Sequence, residues 1–374
     1  MIKVFQLIRS IHLGGAEIVA FNLSEYCKVD NTDFEFVIIE LHKSTDEYSI
    51  DKKNELKAKN IAYVSLGPGY KMISLLLGHF SLAYQILKQK PDIIHSHTDL
   101  PDLVLSNTKK LFSLLHLKFP RIVRTIHNTA LWPTHNILGR YVEKAFQDDY
   151  IVGVSNQSLI AYEALRLKYQ LKVSDCKSVI YNGCKVPVFN KHQFKINPDK
   201  INIAFCGRFE EQKGIDVLLQ RIKAVNSKYP DRFLFHIIGS GTYQNEVLKM
   251  ATTYVLIYDA VPNISDKLYD FDYLIMPSRF EGLGLISIEA SFSKVPVIAS
   301  SVKAILETLP PEWPLQFQLE DEIELLTIFE NILNDKYDIV KLKNLAYAYV
   351  ASKFSMEAMT LAYSSLYVKV INKL

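Results

Sequence analysis

Glu281 and Glu289 stand eight residues apart in the stretch Pro277-Ser-Arg-Phe-Glu-Gly-Leu-Gly-Leu-Ile-Ser-Ile-Glu-Ala290. An apolar run at 273–276 precedes them and reads as a buried strand. Gly282 and Gly284 then break the chain, and the residues beyond alternate at helical spacing. The spacing predicts Glu281 in a strand-to-helix loop and Glu289 one and a half to two turns into the helix. In a parallel α/β sheet such loops open at the carboxyl ends of the strands, where ligands bind. Carboxylates only accept hydrogen bonds, and each can take two hydroxyls. Sugars offer vicinal hydroxyls, and so does the ribose of a nucleotide. Taken alone, the pair reads equally well as a solvated loop residue and a surface helix residue.

Three further motifs sharpen the chemistry. Cys206-Gly-Arg-Phe-Glu-Glu-Gln-Lys-Gly214 follows a strand-like run at 201–205 and precedes a helical pattern from Ile215. Glycine lets the backbone turn close to a ligand, and Arg208 and Lys213 add one rigid and one flexible positive charge. With a helix amino terminus alongside, that combination suits a diphosphate. Ile237-Ile-Gly-Ser-Gly-Thr242 is a second strand–glycine–helix junction, and Ile11-His-Leu-Gly-Gly-Ala-Glu17 is a third near the start of the chain.

In this order and spacing the motifs resemble the retaining nucleotide-sugar glycosyltransferases of the GT-B fold, specifically glycosyltransferase family 4 (glycosyl transferases group 1). The resemblance runs over nearly the whole chain and is specific to the family rather than to one member. Gly14-Gly15-Ala-Glu is similar to the family's first glycine loop. Thr125-Ile-His127 matches its catalytic-loop histidine, and Val152-Gly-Val-Ser155 and Ile180-Tyr-Asn182-Gly183 match the pieces that close its first domain. The resemblance implies that Arg208 and Lys213 bind the donor diphosphate and stabilise it as it leaves. It implies that Glu289 takes the ribose hydroxyls, that Glu281 contacts the donor sugar, and that His127 touches that sugar near the reacting centre. His127, Arg208, Lys213 and Glu281 are therefore the expected catalytic residues. Gly14, Gly15, Gly207, Gly239, Gly241, Asn263, Gly282, Leu283, Gly284, Leu285 and Glu289 are the expected donor-binding ones, with Val261-Pro-Asn263 cradling the base through the main chain. Two departures from the family pattern are visible. Lys294 stands where members usually carry glycine two residues before the proline, and Val302-Lys-Ala-Ile305 replaces paired glycines ahead of Glu307.

Strand-like runs fall at 3–8, 34–40, 61–64, 93–95, 122–126, 151–154 and 178–180, then at 201–205, 234–238, 255–257, 273–276 and 297–299. Continuous Val/Ile runs separated by helical patterns predict parallel sheets covered on both faces. The expected architecture is α/β, with two doubly wound Rossmann-like parallel-sheet domains and a ligand cleft between them, as the GT-B resemblance also implies. The domains are expected at 1–187 for the acceptor and 188–355 for the donor, joined by a polar linker at 187–200. A terminal helix at 356–374 is expected to cross back to the first domain.

The 374 residues, 49% hydrophobic and 22% charged, describe a globular chain of two ordinary domains. A net charge of +3 gives no sign of nucleic-acid specialisation. The four cysteines form no C-x-x-C pair, which excludes a metal-knuckle pattern and fits a reducing cytosol. Arg9 cuts short the apolar start, so no secretory signal is expected, and residues 72–87, the longest apolar stretch, are interrupted by polar residues. The expected activity is metal-independent, retaining hexosyl transfer without a cofactor. It moves a sugar from a nucleotide diphosphate donor to a glycan or lipid-linked acceptor, in envelope polysaccharide (lipopolysaccharide or capsule) synthesis. A nucleotide-sugar 2-epimerase and a non-catalytic partner subunit are the alternatives. His95 and His97 have the spacing of a metal pair, but no third ligand is identifiable. Between residues 65 and 140, nine basic side chains face three acidic ones, and Lys109-Lys-Leu-Phe-Ser-Leu-Leu-His-Leu-Lys-Phe119 sets basic beside apolar residues. Cytoplasmic residence with peripheral contact on anionic membrane at 109–119 is the corresponding expectation.

Overall fold

The computed structural model describes all residues except 31–33, 69–70, 133–135, 189–193 and 373–374, and the side chains of 28–30 and 71. The chain divides into two units, one of Met1–Gly183 with Met356–Leu374, the other of Cys184–Ser355. Each is described by itself.

Among the described residues the first unit holds seven strands: β1 (Ile2–Ile8), β2 (Phe34–His42), β3 (Ala62–Gly67), β4 (Ile93–Ser96), β5 (Arg121–Ile126), β6 (Tyr150–Gly153) and β7 (Lys177–Val179). They lie in the order β3-β2-β1-β4-β5-β6-β7, all parallel. Alternate residues of a strand serve opposite faces, and here both faces are apolar. Phe5 and Leu7 pack with Leu82, Val104 and Phe112 on one side. Val4, Ile93 and Val123 pack on the other with Tyr363 and Tyr367, from the terminal helix Met356–Asn372. The continuous hydrophobic runs of the sequence follow from this double coverage.

The second unit has β8 (Ile201–Cys206), β9 (Phe233–Ile238), β10 (Val255–Tyr258), β11 (Tyr273–Met276), β12 (Val297–Ser300) and β13 (Gln316–Phe317). Their order is β10-β9-β8-β11-β12-β13, again all parallel. Strand β13 is two residues long, too short to show periodicity in the sequence. The division between units falls after Gly183, ahead of the polar segment at 187–200. Cys184 already pairs with Ser355, and its N–H donates to the Phe354 carbonyl at 2.9 Å. Part of the linker expectation, including Lys191, lies outside the described residues, as does Leu374.

The helix carrying Glu289 spans Leu285–Phe292, so this glutamate is its fifth residue, little more than one turn in and nearer the amino end than the spacing suggested. Gly284 has φ 84°, which holds the apolar Leu283 and Leu285 outside a common helical run and delays the start. The helix closes through Lys294, whose N–H donates to the Ser291 carbonyl at 3.1 Å, while Val295 N–H reaches the Ala290 carbonyl at 2.8 Å. Lys294 takes φ 56°, the left-handed conformation that favours glycine. The glycine missing from the sequence pattern is thus a missing helix cap. Lys294→Gly is expected to stabilise the protein by about 1 kcal/mol, read from the urea midpoint. An unchanged or lower midpoint contradicts this account.

Candidate active site

In both sheets the chain order reverses beside the first-formed strand, between β1 and β4 and between β8 and β11. At such a point the two carboxyl-end loops diverge and leave a crevice. In the second unit the loop after β8 brings Gly207, Arg208 and Lys213, and the loop after β11 brings Glu281, Gly282, Leu283 and Gly284. The loop after β9, with Gly239 and Gly241, lies beside them. Gly207 N–H donates to the Ile238 carbonyl at 3.0 Å and Phe209 N–H to the Ser240 carbonyl at 2.9 Å.

Two glycines here are required by the protein itself. Gly214 has φ 66°, and a Cβ on it would sit 1.8 Å from the Pro277 carbonyl oxygen. Gly239 has φ 151°, and a Cβ would sit 1.9 Å from the Gly207 carbonyl oxygen. Gly239 therefore serves the contact between two loops, where the sequence suggested an approach to phosphate. Gly207 differs, because a Cβ there meets only Phe205 and Lys213 side-chain carbons, at 3.7 and 3.9 Å.

The charged groups are bound across the crevice. Lys213 Nζ lies 2.5 Å from Glu281 Oε1, which also accepts from Ser278 Oγ at 2.8 Å. Glu281 is only 5% exposed. Arg279 donates to both carboxylate oxygens of Asp216, at 2.7 and 2.8 Å. Gln212 Nε2 donates to the Phe280 carbonyl at 3.2 Å, and its own carbonyl accepts from Arg279 N–H at 2.8 Å. Arg208 is exposed and donates to the neutral Gln212 Oε1 at 3.1 Å. A bound polyanion would draw on the whole charge of Arg208 and share Lys213 with Glu281. Gln212, Ser278, Arg279 and Asp216 complete the arrangement but went unnoticed in the sequence. Isolated polar residues between motifs carry no periodic or glycine signal.

Glu289 is partly buried, and its carboxyl makes no hydrogen bond among the described residues. Burial, helped by Asp266, pushes its carboxyl up to about 7. Burial and Glu289 together raise the Cys184 and Cys206 thiols in turn. Asn263 is exposed and left-handed, φ 50°, heading the short helix Ile264–Asp270. Leu283 is 3% exposed, so its side chain belongs to the core and only its backbone can face a ligand. Of the segment where family glycines are lacking, Ala304 and Ile305 are buried as well.

In the first unit, Gly14 precedes the helix Gly15–Asp30 and accepts from Ile18 N–H at 2.9 Å. The Glu17 carboxylate folds back against Gly14, so the space beside that glycine holds a side chain of the protein. His127 follows β5, with Nε2 3.2 Å from Nδ1 of His97. Burial pushes its imidazole down to about 3 and lowers His95 and His97 well below their ordinary value. The rings of His95 and His97 are tilted by 35° with centres 4.0 Å apart, and each bonds to Gln, Tyr or Thr side chains. Among the described residues no three His, Cys, Asp or Glu side chains gather as metal ligands. The sequence does contain one Asp-x-Asp triplet, Asp270-Phe-Asp272, which the expectation of metal independence passed over. It precedes β11, at the end of the strand away from the donor loops, and Asp272 Oδ2 accepts from Asn202 N–H at 2.8 Å.

Two parallel doubly wound sheets, with charged glycine loops at a chain-order reversal, define an α/β protein whose ligand crevice lies at the carboxyl ends of the strands. Residues 13–185 match the family described as Glycosyltransferase Family 4, and residues 200–335 match Glycosyl transferases group 1. A 41.2 kDa protein in the cps region of Klebsiella pneumoniae is 31% identical over 263 residues, 63% of this chain and 68% of that one. The O-antigen biosynthesis glycosyltransferase WclY of Escherichia coli is 23% identical over 292 residues, 74% of this chain and 78% of that one. Among solved structures, Anabaena Alr3699/HepE in complex with UDP-glucose superposes with a TM-score of 0.79 at 14% identity, covering 99% of this chain and 100% of that one. The two matches together place the chain among the glycosyltransferases, and it has the GT-B fold.

The raised Glu289 carboxyl has a consequence for stability. Its folded value, about 7, exceeds the ordinary 4.5. Folding therefore favours the protonated form, and the carboxylate destabilises the fold progressively from pH 4.5 to 7. Glu289→Gln lacks this loss. Its stability relative to the parent should rise by about 1–3 kcal/mol between pH 4.5 and 8, measured by urea unfolding across that range. A difference independent of pH would show that the carboxyl titrates normally.

Proposed function

We propose that the protein is a retaining, metal-independent hexosyltransferase. It moves a sugar from a nucleoside diphosphate sugar to a glycan or lipid-linked acceptor in cell-envelope polysaccharide synthesis. The observation that carries this reading is Arg208 and Lys213 set beside Gly207 at the chain-order reversal, with Glu281 and Glu289 across the crevice. The reaction places growing negative charge on the departing diphosphate. Fixed cations next to that charge lower the barrier more than they bind the ground state. Glu289 accepts the ribose hydroxyls and Glu281 the donor-sugar hydroxyls.

Glu281 is not assigned as a nucleophile. Lys213 and Ser278 already occupy one of its oxygens, and covalent carboxylate attack is the pattern of retaining hydrolases. Front-face departure, with the leaving phosphate accepting the acceptor's proton, fits a site whose polar groups are cations and hydroxyl acceptors. The UDP-glucose in the HepE structure supports a nucleotide-sugar donor, and the cps and O-antigen relatives support an envelope polysaccharide product. With two cationic side chains serving the diphosphate, no divalent ion is needed.

Arg208→Ala or Lys213→Ala should lower turnover by two orders of magnitude or more, roughly the weight of one preorganised donor, while far-UV circular dichroism is unchanged. EDTA should leave the parent active. Nucleotide release that depends on acceptor supports transfer. Release without acceptor, or none, points respectively to epimerase-type chemistry or to a non-catalytic partner. Loss of activity in EDTA, restored by magnesium or manganese, would overturn metal independence.

We further propose that the lipid-linked class of acceptor is met at an anionic membrane, on a surface that combines the exposed Lys110, Leu114, Leu115, Leu117 and Lys118 of residues 109–119 with a second helix. Lys109 is bound to Asp149 at 2.7 Å, and Arg124 is buried between Asp102 and Glu143. Neither can serve as the free surface charge the sequence suggested. The side chain of Lys71 lies outside the described residues. The helix Lys71–Gln89 also exposes Met72, Ile73, Leu76, Leu77, Phe80, Tyr84 and Leu87. Lys88 and Lys90 at its end and Lys110 and Lys118 nearby in the sequence of the unit are exposed. No helix of the described residues is long and apolar enough to cross a membrane, which suits a face lying in the interface. The protein should pellet with anionic vesicles in a salt-sensitive manner. Leu76→Glu with Phe80→Glu should abolish this, and Lys110→Glu should weaken it by about 1 kcal/mol. Equal pelleting by the double variant would remove this helix from the account.

A further inference from the structure

His127 is the last member of a hydrogen-bonded chain that begins on the terminal helix. Tyr363 OH lies 3.0 Å from Thr125 Oγ1, which is 2.6 Å from His95 Nε2. His95 Nδ1 is 2.7 Å from Tyr367 OH, which accepts from Gln6 Nε2 at 3.2 Å. Gln6 Oε1 lies 2.6 Å from His97 Nε2, and His97 Nδ1 is 3.2 Å from His127 Nε2. Gln6, His95, His97, Thr125, Tyr363 and Tyr367 are all buried. Parallel pairing places Gln6 of β1 beside His95 of β4, and the chain leaving each strand carries His97 and His127 onward.

A buried chain of neutral donors and acceptors has to run in one direction, because each link leaves the next group a single role. Gln6 sets that direction. The 2.6 Å separation from His97 suits a carbonyl oxygen and is too short for an amide nitrogen against a ring nitrogen, while 3.2 Å suits an amide N–H to the Tyr367 hydroxyl. His97 then donates from Nε2, and its Nδ1 is left as an acceptor. His127 donates to it from Nε2, which leaves His127 Nδ1 without a proton. Burial, which keeps these imidazoles uncharged, closes the alternative of a doubly protonated ring.

We propose that Gln6 and His97, aligned by Tyr367, are positioning residues that hold His127 in the Nε2–H tautomer, so that its Nδ1 meets a substrate hydroxyl as a bare acceptor. The substrate part rests on the glycosyl transfer proposed above; the tautomer does not. His127 in this state receives a hydroxyl's hydrogen bond and gives none to the substrate. That favours a polyol ligand over a carbonyl or phosphate oxygen at this point.

The test uses the full chain with histidine labelled with heavy nitrogen. Long-range proton–nitrogen correlation spectra at neutral pH and without substrate are recorded, with His127→Asn to assign the resonance. The expected result is a single His127 tautomer, protonated at Nε2. Gln6→Met removes the acceptor of His97, and Tyr367→Phe removes the alignment of Gln6. In either variant His127 should show a measurable Nδ1–H population. In transfer assays kcat should fall about tenfold, the equivalent of one hydrogen bond, with KM for the nucleotide sugar unchanged. His127 protonated at Nδ1 in the parent, or one unchanged tautomer in both variants, overturns the proposal. The parent spectrum decides the tautomer even where a variant does not fold, and no outcome of it depends on catalysis.

Discussion

Parallel pairing is the constraint on which the rest of this molecule depends. A strand that enters a parallel sheet has to cross a whole helix before the next can join it. Every loop at the carboxyl edge is then a strand-to-helix loop, and chain-order reversal parts two of them. In the second unit those are the loops after β8 and β11, and they carry Arg208, Lys213 and Glu281. The buried strands beneath fix where the loops start. Gly214 and Gly239 let them press together at distances no side chain would allow. Lys213 and Glu281 are held by backbone geometry first and by their ion pair second.

Much of this was legible in the sequence. Unbroken Val/Ile runs marked the strands because both faces of each sheet are covered, and only the two-residue β13 escaped. The donor loops were legible because a glycine after an apolar run is a local signal. Local signals do not say what a glycine is for, however. Gly239 answers to the Gly207 carbonyl and Gly14 lies against the Glu17 carboxylate. Charge was the least legible property. Lys109 and Arg124 counted equally with their neighbours in a sum over residues 65–140, yet both are paired with acids distant in the sequence. The apolar stretch at 72–87 was legible only as too interrupted to span a membrane, because its exposure depends on what packs against the helix.

The two sides of the crevice treat their carboxylates differently. Glu281 is neutralised by Lys213 and takes a hydroxyl bond from Ser278. Glu289 has neither, and burial raises it to about 7. One acid is thus bonded within the protein, and the carboxyl of the other has no such partner among the described residues. This asymmetry cannot be read from two glutamates eight positions apart in a chain.

The terminal helix bears on how the protein is made. Its Tyr367 hydroxyl accepts a bond from Gln6, 361 positions earlier. The face formed by Val4, Ile93 and Val123 is therefore covered by residues that leave the ribosome only after the second unit. All of Cys184–Ser355 is synthesised in between. At about 5–20 residues per second this takes roughly ten to thirty seconds. Through that interval one side of the first sheet stays open on the nascent chain, while the other can already pack. The first unit cannot finish folding until the second has been synthesised, and chaperones that shield apolar sheet faces have that window in which to act.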